Sequence, residues 1–316
     1  CPTIIGYTHW TEFKEITNYE YEVGLAFNII GLLQMDKCGI NTQAQKELVL
    51  KNAKEHFNDD VIKQLDEILE PHYLGWETPE YEQQTTDKNI IVYNHRPHTY
   101  KNYPWFLEQM DKLYEQRQDF EVWVPLADKK EKDYMTIDKY DRFGYFSKLS
   151  SCKVGVCCKQ KYEGWAVSAT DGMSVGVPYM FSDDGSYHEL ADEAGIYYKG
   201  SDDFLKLMNK ALDDKEFRNE YSEKSLQRFK DSKWEKQIQR INDTFNTAIS
   251  NFRPIKETES YNKIVEFIRT KKSVTKNEIL LHMGWGVRIG FTTYRNRLRN
   301  EKDIKFTKNR YEVINK

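Results

Sequence analysis

The sequence predicts an α/β fold: Rossmann-type domains on parallel sheets, the N-terminal one shorter than a complete domain, followed by a C-terminal winged helix-turn-helix. Three observations lead there. Short continuous apolar runs such as Asn89-Ile-Ile-Val-Tyr93, suited to strands buried on both faces, alternate with amphipathic stretches. The segment Tyr162–Leu190 reads as loop, helix, buried strand and Gly-rich loop, with acidic residues at its turns. Residues 255–316 carry 15 Lys/Arg against 7 Asp/Glu, a balance of +8, on a body whose balance is -11.

In chain order, Thr3-Ile-Ile-Gly-Tyr7 is a strand that runs into Thr8-His9-Trp10. A helical region with Ile29, Ile30, Leu32 and Leu33 follows, then a short break at Lys37-Cys-Gly-Ile40. Asn41-Thr42 caps a helix through Leu48, Leu50 and Ala53, and Glu70–Gly75 closes the segment as a turn. After the polar stretch Glu77–Lys88, the run Asn89–Tyr93, a helix Trp105–Gln116 and a strand Phe120–Val124 make a βαβ unit. Further strands are expected at Lys153–Cys158, Pro178–Phe181 and Gly195–Tyr198, with helices at Tyr145–Leu149, Ala166–Val175, Asp202–Leu212, Asp214–Phe229 and Trp234–Ser250. The last part reads as three helices and a hairpin. Thr275-Lys-Asn-Glu278 is a capping box, and the hairpin joins Ile304–Phe306 to Arg310–Ile314. The expected domains are 1–80, 88–233, a crossover helix 234–252, and 255–316.

Composition, 39% hydrophobic and 31% charged, belongs to a globular chain and excludes disorder. With no secretory pattern and no apolar run long enough to span a bilayer, a cytoplasmic location without membrane contact is expected. The chain begins at Cys1 inside a strand and without an initiator Met, which is compatible with an upstream segment. Five cysteines without a C-x-x-C pair point to free thiols and no metal site.

Arg96 and Lys101 follow the first strand of the second domain, where a guanidinium fork and an ammonium can neutralise a diphosphate; a plain basic surface loop is the alternative. Glu163 and Asp171 then bracket a helix mouth beside Gly164 and Trp165. The carboxylate of Glu163 could equally serve as a helix cap. The run Y-E-G-W-A-V-S-A-T-D-G-M-S-V-G-V-P, followed by D-G-S-Y-H-E-L, resembles the nucleotide-sugar signature of retaining GT-B glycosyltransferases of the E-x7-E type. The resemblance covers residues 89–250 well and 1–77 loosely.

It implies a nucleotide-sugar donor, UDP-glucose first, with no further cofactor. Glu163 would contact the transferred sugar and Asp171 the ribose. Gly164 and Trp165 would bring backbone amides to the sugar or phosphates, Glu189 would cap the far loop, and Arg96 and Lys101 would hold the diphosphate. Asp171 departs from the motif by one methylene. His9, after a strand on the acceptor side, is the candidate to orient or deprotonate the acceptor, with His95 and His98 competing for polar duties.

Arg295 and Arg299 share a face of the third C-terminal helix, and Lys305, Lys308 and Arg310 lie on the wing. Charge and fold together suggest DNA as the partner of 255–316, with a protein-binding winged helix as the alternative. The combination resembles phage DNA-modifying glucosyltransferases, which implies transfer to a hydroxymethylated pyrimidine. Two other readings are a glycosyltransferase for a cell-surface glycan or protein, and a DNA-binding regulator using the fold as a nucleotide-sugar sensor.

Overall fold

A computed structural model describes residues 4–8, 29–160, 165–250, 259–275, 278–279, 298, 301, 303–307 and 310–314. The chain divides into two units, Ile4–Ala248 and Ile249–Lys316 with Cys1–Thr3.

The first unit opens with three parallel strands in the order β1-β2-β3: β1 (Ile5–Thr8), β2 (Lys37–Ile40) and β3 (Leu69–Pro71). Between β2 and β3 run α1 (Gln43–Ala53) and α2 (Asp59–Ile68). Each helix begins where the sequence supplies an acceptor for its unpaired first-turn amides. Thr42 accepts from the Gln45 amide, and Asn58 from that of Val61. Both helices lay an apolar stripe on the sheet, and Ile40, Val49, Ala53, Leu65 and Leu69 make its core.

Two expectations fail here. Lys37–Ile40 is a strand and not a break, and the stretch Glu70–Gly75 begins inside β3. The run Lys-Cys-Gly-Ile has little strand propensity of its own, but it is paired on both sides, which overrides local preference.

The second sheet has six parallel strands: β4 (Asn89–Val92), β5 (Phe120–Trp123), β6 (Met135–Thr136), β7 (Val154–Cys157), β8 (Tyr179–Ser182) and β9 (Gly195–Tyr198). Their order is β6-β5-β4-β7-β8-β9, so the chain works outward from β4 to one edge and then returns to its other side. This is the doubly wound order, with its topological switch point between β4 and β7. Two-residue β6 has no signal in the sequence.

Alternation along the strands feeds two cores. On one face Ile91 and Tyr93 meet α3 (Tyr103–Gln116) and α7 (Gly200–Asp213) through Phe106, Met110, Phe204 and Met208. On the other, Ile90 and Val92 meet α4 (Arg142–Ser150), α5 (Val167–Ser174) and α6 (Gly185–Ala191) through Phe146, Met173 and Leu190. The stretch leading to Glu189, expected as a Gly-rich loop, is therefore helix α6.

α8 (Lys215–Asp231) and α9 (Trp234–Ser250) complete the unit. α9 returns toward the first sheet, and its Thr244 hydroxyl donates to Glu70 at 3.0 Å. Where α9 begins, a Cβ on Gly75 would overlap Trp234, which explains the glycine.

In the second unit, α10 (Glu259–Lys271) packs Ile264 and Ile268 on an antiparallel sheet of order β10-β12-β11, made of β10 (Ser273–Thr275), β11 (Ile304–Thr307) and β12 (Arg310–Val313). The capping box forms: Glu278 accepts from the Thr275 amide at 2.6 Å, and the Thr275 hydroxyl accepts from the Glu278 amide at 3.2 Å. β10 was not expected. Arg295, Arg299 and Lys308 lie outside the described residues, as does most of the segment read as the second and third helices.

Candidate functional site

In a doubly wound sheet, ligands settle at the strand C-termini beside the switch point, because the loops after its two strands diverge and leave a crevice. Here those loops are Asn94–Lys101, after β4, and the segment after β7 that runs through Lys159 to Trp165.

The first loop is held firmly. His98 accepts from the Tyr100 amide, and the chain turns through a short 3-10 helix (Thr99–Lys101) into Asn102, whose φ of 56° is left-handed. The Tyr93 hydroxyl reaches back to donate to the Lys101 carbonyl at 2.9 Å. Arg96 is exposed, and the Lys101 ammonium lies 5.4 Å from the Tyr100 ring centre.

On the other side of the crevice, Trp165 is buried and stacks on Tyr73 with ring centres 5.6 Å apart. α5 begins two residues later with no side chain capping its first turn; the Val167 and Ala169 amides instead donate to the Trp165 and Ala166 carbonyls at 3.2 and 2.9 Å. Asp171 on α5 accepts from the Tyr145 hydroxyl at 3.3 Å, and burial pushes its carboxyl up to about 6.

Tyr145 also receives an N–H from Asn94, at 2.9 Å. The same amide nitrogen donates to the Ser168 carbonyl at 2.6 Å, and the Asn94 oxygen accepts from Tyr179 at 3.0 Å. Next to Asn94, His95 is fully enclosed against Cys157, with Nε2 and Sγ 2.9 Å apart, and burial drives its imidazole down to about 3. His95 is thus a neutral structural pin between β4 and β7.

The structure brings Arg96, Lys101, Trp165 and Asp171 to one sheet edge. Glu163, Gly164 and His9 lie outside the described residues. Glu189 departs from the expected ligand contact. Its carboxylate accepts from the Gln43 and Ala44 amides at 2.7 and 2.6 Å and from the Tyr73 hydroxyl at 3.0 Å, so it caps α1 of the first sheet. Both its oxygens are committed to protein donors.

In the second unit, Lys305 is exposed, while the Arg310 guanidinium donates to the Ser273 hydroxyl and carbonyl at 2.8 and 3.1 Å. That geometry ties Arg310 to its own sheet.

Sequence reasoning missed Asn94, Tyr145 and Tyr73. It also missed His72, buried at the end of β3 with Nε2 lacking a partner among the described residues and its imidazole lowered by burial. An Asn directly after a buried strand was the one readable signal. A cavity of about 380 Å³ adjoins the crevice through Asn102 and Lys159 and opens past the ends of β8 and β9, between Trp105, Lys159, Asp183 and Lys199. Its charges satisfy one another, Lys199 with Asp183 at 3.0 Å and Lys159 with Asp184 at 3.4 Å, and Arg96 and Asp171 are not on its walls. The switch point is the better candidate. No group of acidic, His and Cys side chains among the described residues could hold a metal, and no described helix is long and apolar enough to cross a membrane.

No protein-family model and no curated protein sequence matches the chain. Solved structures do. A point mutant of S. aureus TarM, in complex with Fondaparinux, alpha-GlcNAc-glycerol and UDP, superposes with TM-score 0.61 at 13% identity over 77% of this chain and 51% of that one. Anabaena HepE, in complex with UDP and glucose, gives 0.62 at 10% identity over 77% and 71%. Sucrose-phosphate synthase from Thermosynechococcus elongatus gives 0.59 at 14% identity over 78% and 68%.

The fold is that of the GT-B glycosyltransferases. The chain spans about half the length of TarM.

Proposed function

We propose that this chain is a retaining GT-B glycosyltransferase that moves a sugar from a nucleotide-sugar donor, UDP-glucose first, to a hydroxyl of a hydroxymethylated pyrimidine in DNA. The observation that carries the donor half is the switch point, where the Arg96–Lys101 loop and the Trp165–Asp171 segment leave adjacent strands. Arg96 and Lys101 supply positive charge where a departing diphosphate gains negative charge, so no metal is needed for that role. The UDP complexes of TarM and HepE support a uridine nucleotide.

Retention and the roles of Glu163 and Gly164 rest on the resemblance of Glu163–Asp171 to the E-x7-E motif, and His9 is the proposed acceptor-side base. Glu189, committed to α1, is left out of the donor site. The DNA half rests on the +8 balance of 255–316 beside a body of -11. In this reading 255–316 is a winged helix that docks on DNA through Arg295, Arg299, Lys305 and Lys308, and the target base is flipped toward the cleft.

The test is mass spectrometry of hydroxymethylated duplex DNA after incubation with a panel of nucleotide sugars. A hexose added to the modified base, α-linked from an α-linked donor, is expected. UDP release without any added mass on DNA would refute the acceptor. Calorimetry adds the donor arm: UDP affinity should fall about tenfold or more in Arg96→Ala and in Lys101→Ala, and unchanged affinity in both would refute the donor site.

A further inference from the structure

Asp171 stands at the ribose position of the motif with a side chain one methylene too short, and the structure surrounds it with a directed chain of donors. The Tyr179 hydroxyl on β8 lies 3.0 Å from the Asn94 oxygen and 3.2 Å from the Ser168 carbonyl, and that carbonyl, which can only accept, fixes the orientation of the Asn94 amide by facing its nitrogen. The Asn94 nitrogen then donates to the Ser168 carbonyl and to the Tyr145 oxygen. With its oxygen accepting from Asn94, Tyr145 has its single proton for Asp171 Oδ2. The relay runs one way, from Tyr179 through Asn94 and Tyr145 to Asp171, and it ends on a carboxylate whose Oδ1 takes no hydrogen bond from a described residue.

Packing holds the relay in place. The Tyr179 ring fills the space a Cβ would need on both Gly155 and Gly172, so those glycines admit the ring that aims the first hydroxyl. Tyr145 is wedged between Trp123 and Phe146, with ring centres 5.8 and 5.3 Å away. Asn94 is almost fully buried at the end of β4, two residues before Arg96. The diphosphate loop and the acidic helix are thereby tied through one amide.

We propose that Tyr145 and Asn94 are positioning residues that orient Asp171 toward a ribose diol, so that an Asp serves where the motif has a Glu. This rests on the donor-site reading above. Tyr145 donates to Asp171 Oδ2 and leaves Oδ1 to accept from the sugar; a short side chain held in one orientation replaces a longer one free to reach. The titratable and charged groups that face Asp171 are Tyr145 and Arg142 on α4 and Tyr179 on β8. The Tyr145 bond and Arg142 lower the Asp171 carboxyl, against the larger upward effect of burial. Removing the phenol therefore raises it further.

The experiment compares UDP with 2′-deoxy-UDP by calorimetry on the full chain, across pH, in wild type and Tyr145→Phe. Wild type should prefer UDP by about tenfold or more, the range of one hydrogen bond to a charged group. In Tyr145→Phe the preference should fall toward one, and UDP affinity should begin to drop at a higher pH on acidification, while 2′-deoxy-UDP affinity changes little. A merely structural Tyr145 would weaken both ligands alike and leave the pH midpoint in place, which overturns the inference. Asn94→Ser, which shortens the amide out of reach of Tyr145, should lose the same preference. UDP binding without ribose discrimination in wild type overturns this inference alone. No UDP binding at all overturns the donor-site reading with it.

Discussion

The carboxylate of Glu189 joins the two sheets of the GT-B unit, and its removal can be followed quantitatively. In Glu189→Ala the first-turn amides of Gln43 and Ala44 and the Tyr73 hydroxyl lose their acceptor. Loss of a helix N-terminal cap costs about 1 kcal/mol, and loss of a negative charge at the positive end of α1 about another 1 kcal/mol. Glu189 is only partly buried, so water takes up some of the freed amides and keeps the total near ~2 kcal/mol. For a unit of this size each kcal/mol is worth roughly 2–4 °C, so Tm should fall by about 4–8 °C. Glu189→Gln keeps an acceptor but no charge and should lose about half of that. Thermal unfolding gives Tm, and amide hydrogen exchange gives the local effect, faster exchange at Gln43 and Ala44. A shift under about 1 °C with unchanged exchange at both amides would refute the claim that Glu189 caps α1.

Acid stability offers a second check, because two buried groups at the switch point act with opposite sign. His95, lowered to about 3 against an ordinary 6.5, binds a proton more readily unfolded, so it makes stability rise with pH between about 3 and 6.5. Asp171, raised to about 6 against 3.8, binds its proton more readily folded, so it makes stability fall with pH between 3.8 and about 6. In the shared window the two should cancel. Urea unfolding of Asp171→Asn across pH should expose the rising slope of His95, up to about 1.4 kcal/mol per pH unit, and an unchanged pH profile would refute it. Gly172→Ala should cost ~2 kcal/mol by overpacking the Tyr179 ring, read from urea midpoints, whereas a neutral result would show that the ring has room to move.

Five strands of the six-stranded sheet were legible because each is largely buried and so appears as a short, mostly apolar run, whereas two-residue β6 carries no such run. The helix caps at Thr42 and Thr275 were legible because a cap is a local hydrogen bond. The strand Lys37–Ile40 was not, since its conformation comes from neighbours on both sides. Helix α6 hid behind Asp183-Asp184-Gly185, which reads as a turn until its Tyr187 and Leu190 are seen to be buried in the core beneath α5 and β8.

For the site, the sequence by itself determined the Arg96–Lys101 loop and the Glu163–Asp171 spacing, because charge type and spacing along the chain are local properties. Only the tertiary structure decided what those groups do next. It turned Glu189 away to cap a helix 145 residues upstream, enclosed His95 against Cys157, and connected Tyr179, Asn94, Tyr145 and Asp171 into one directed relay. Those four residues come from β8, the end of β4, α4 and α5. Hydrogen-bond direction among them is set by burial and by the packing of one sheet, and no spacing along the chain encodes it.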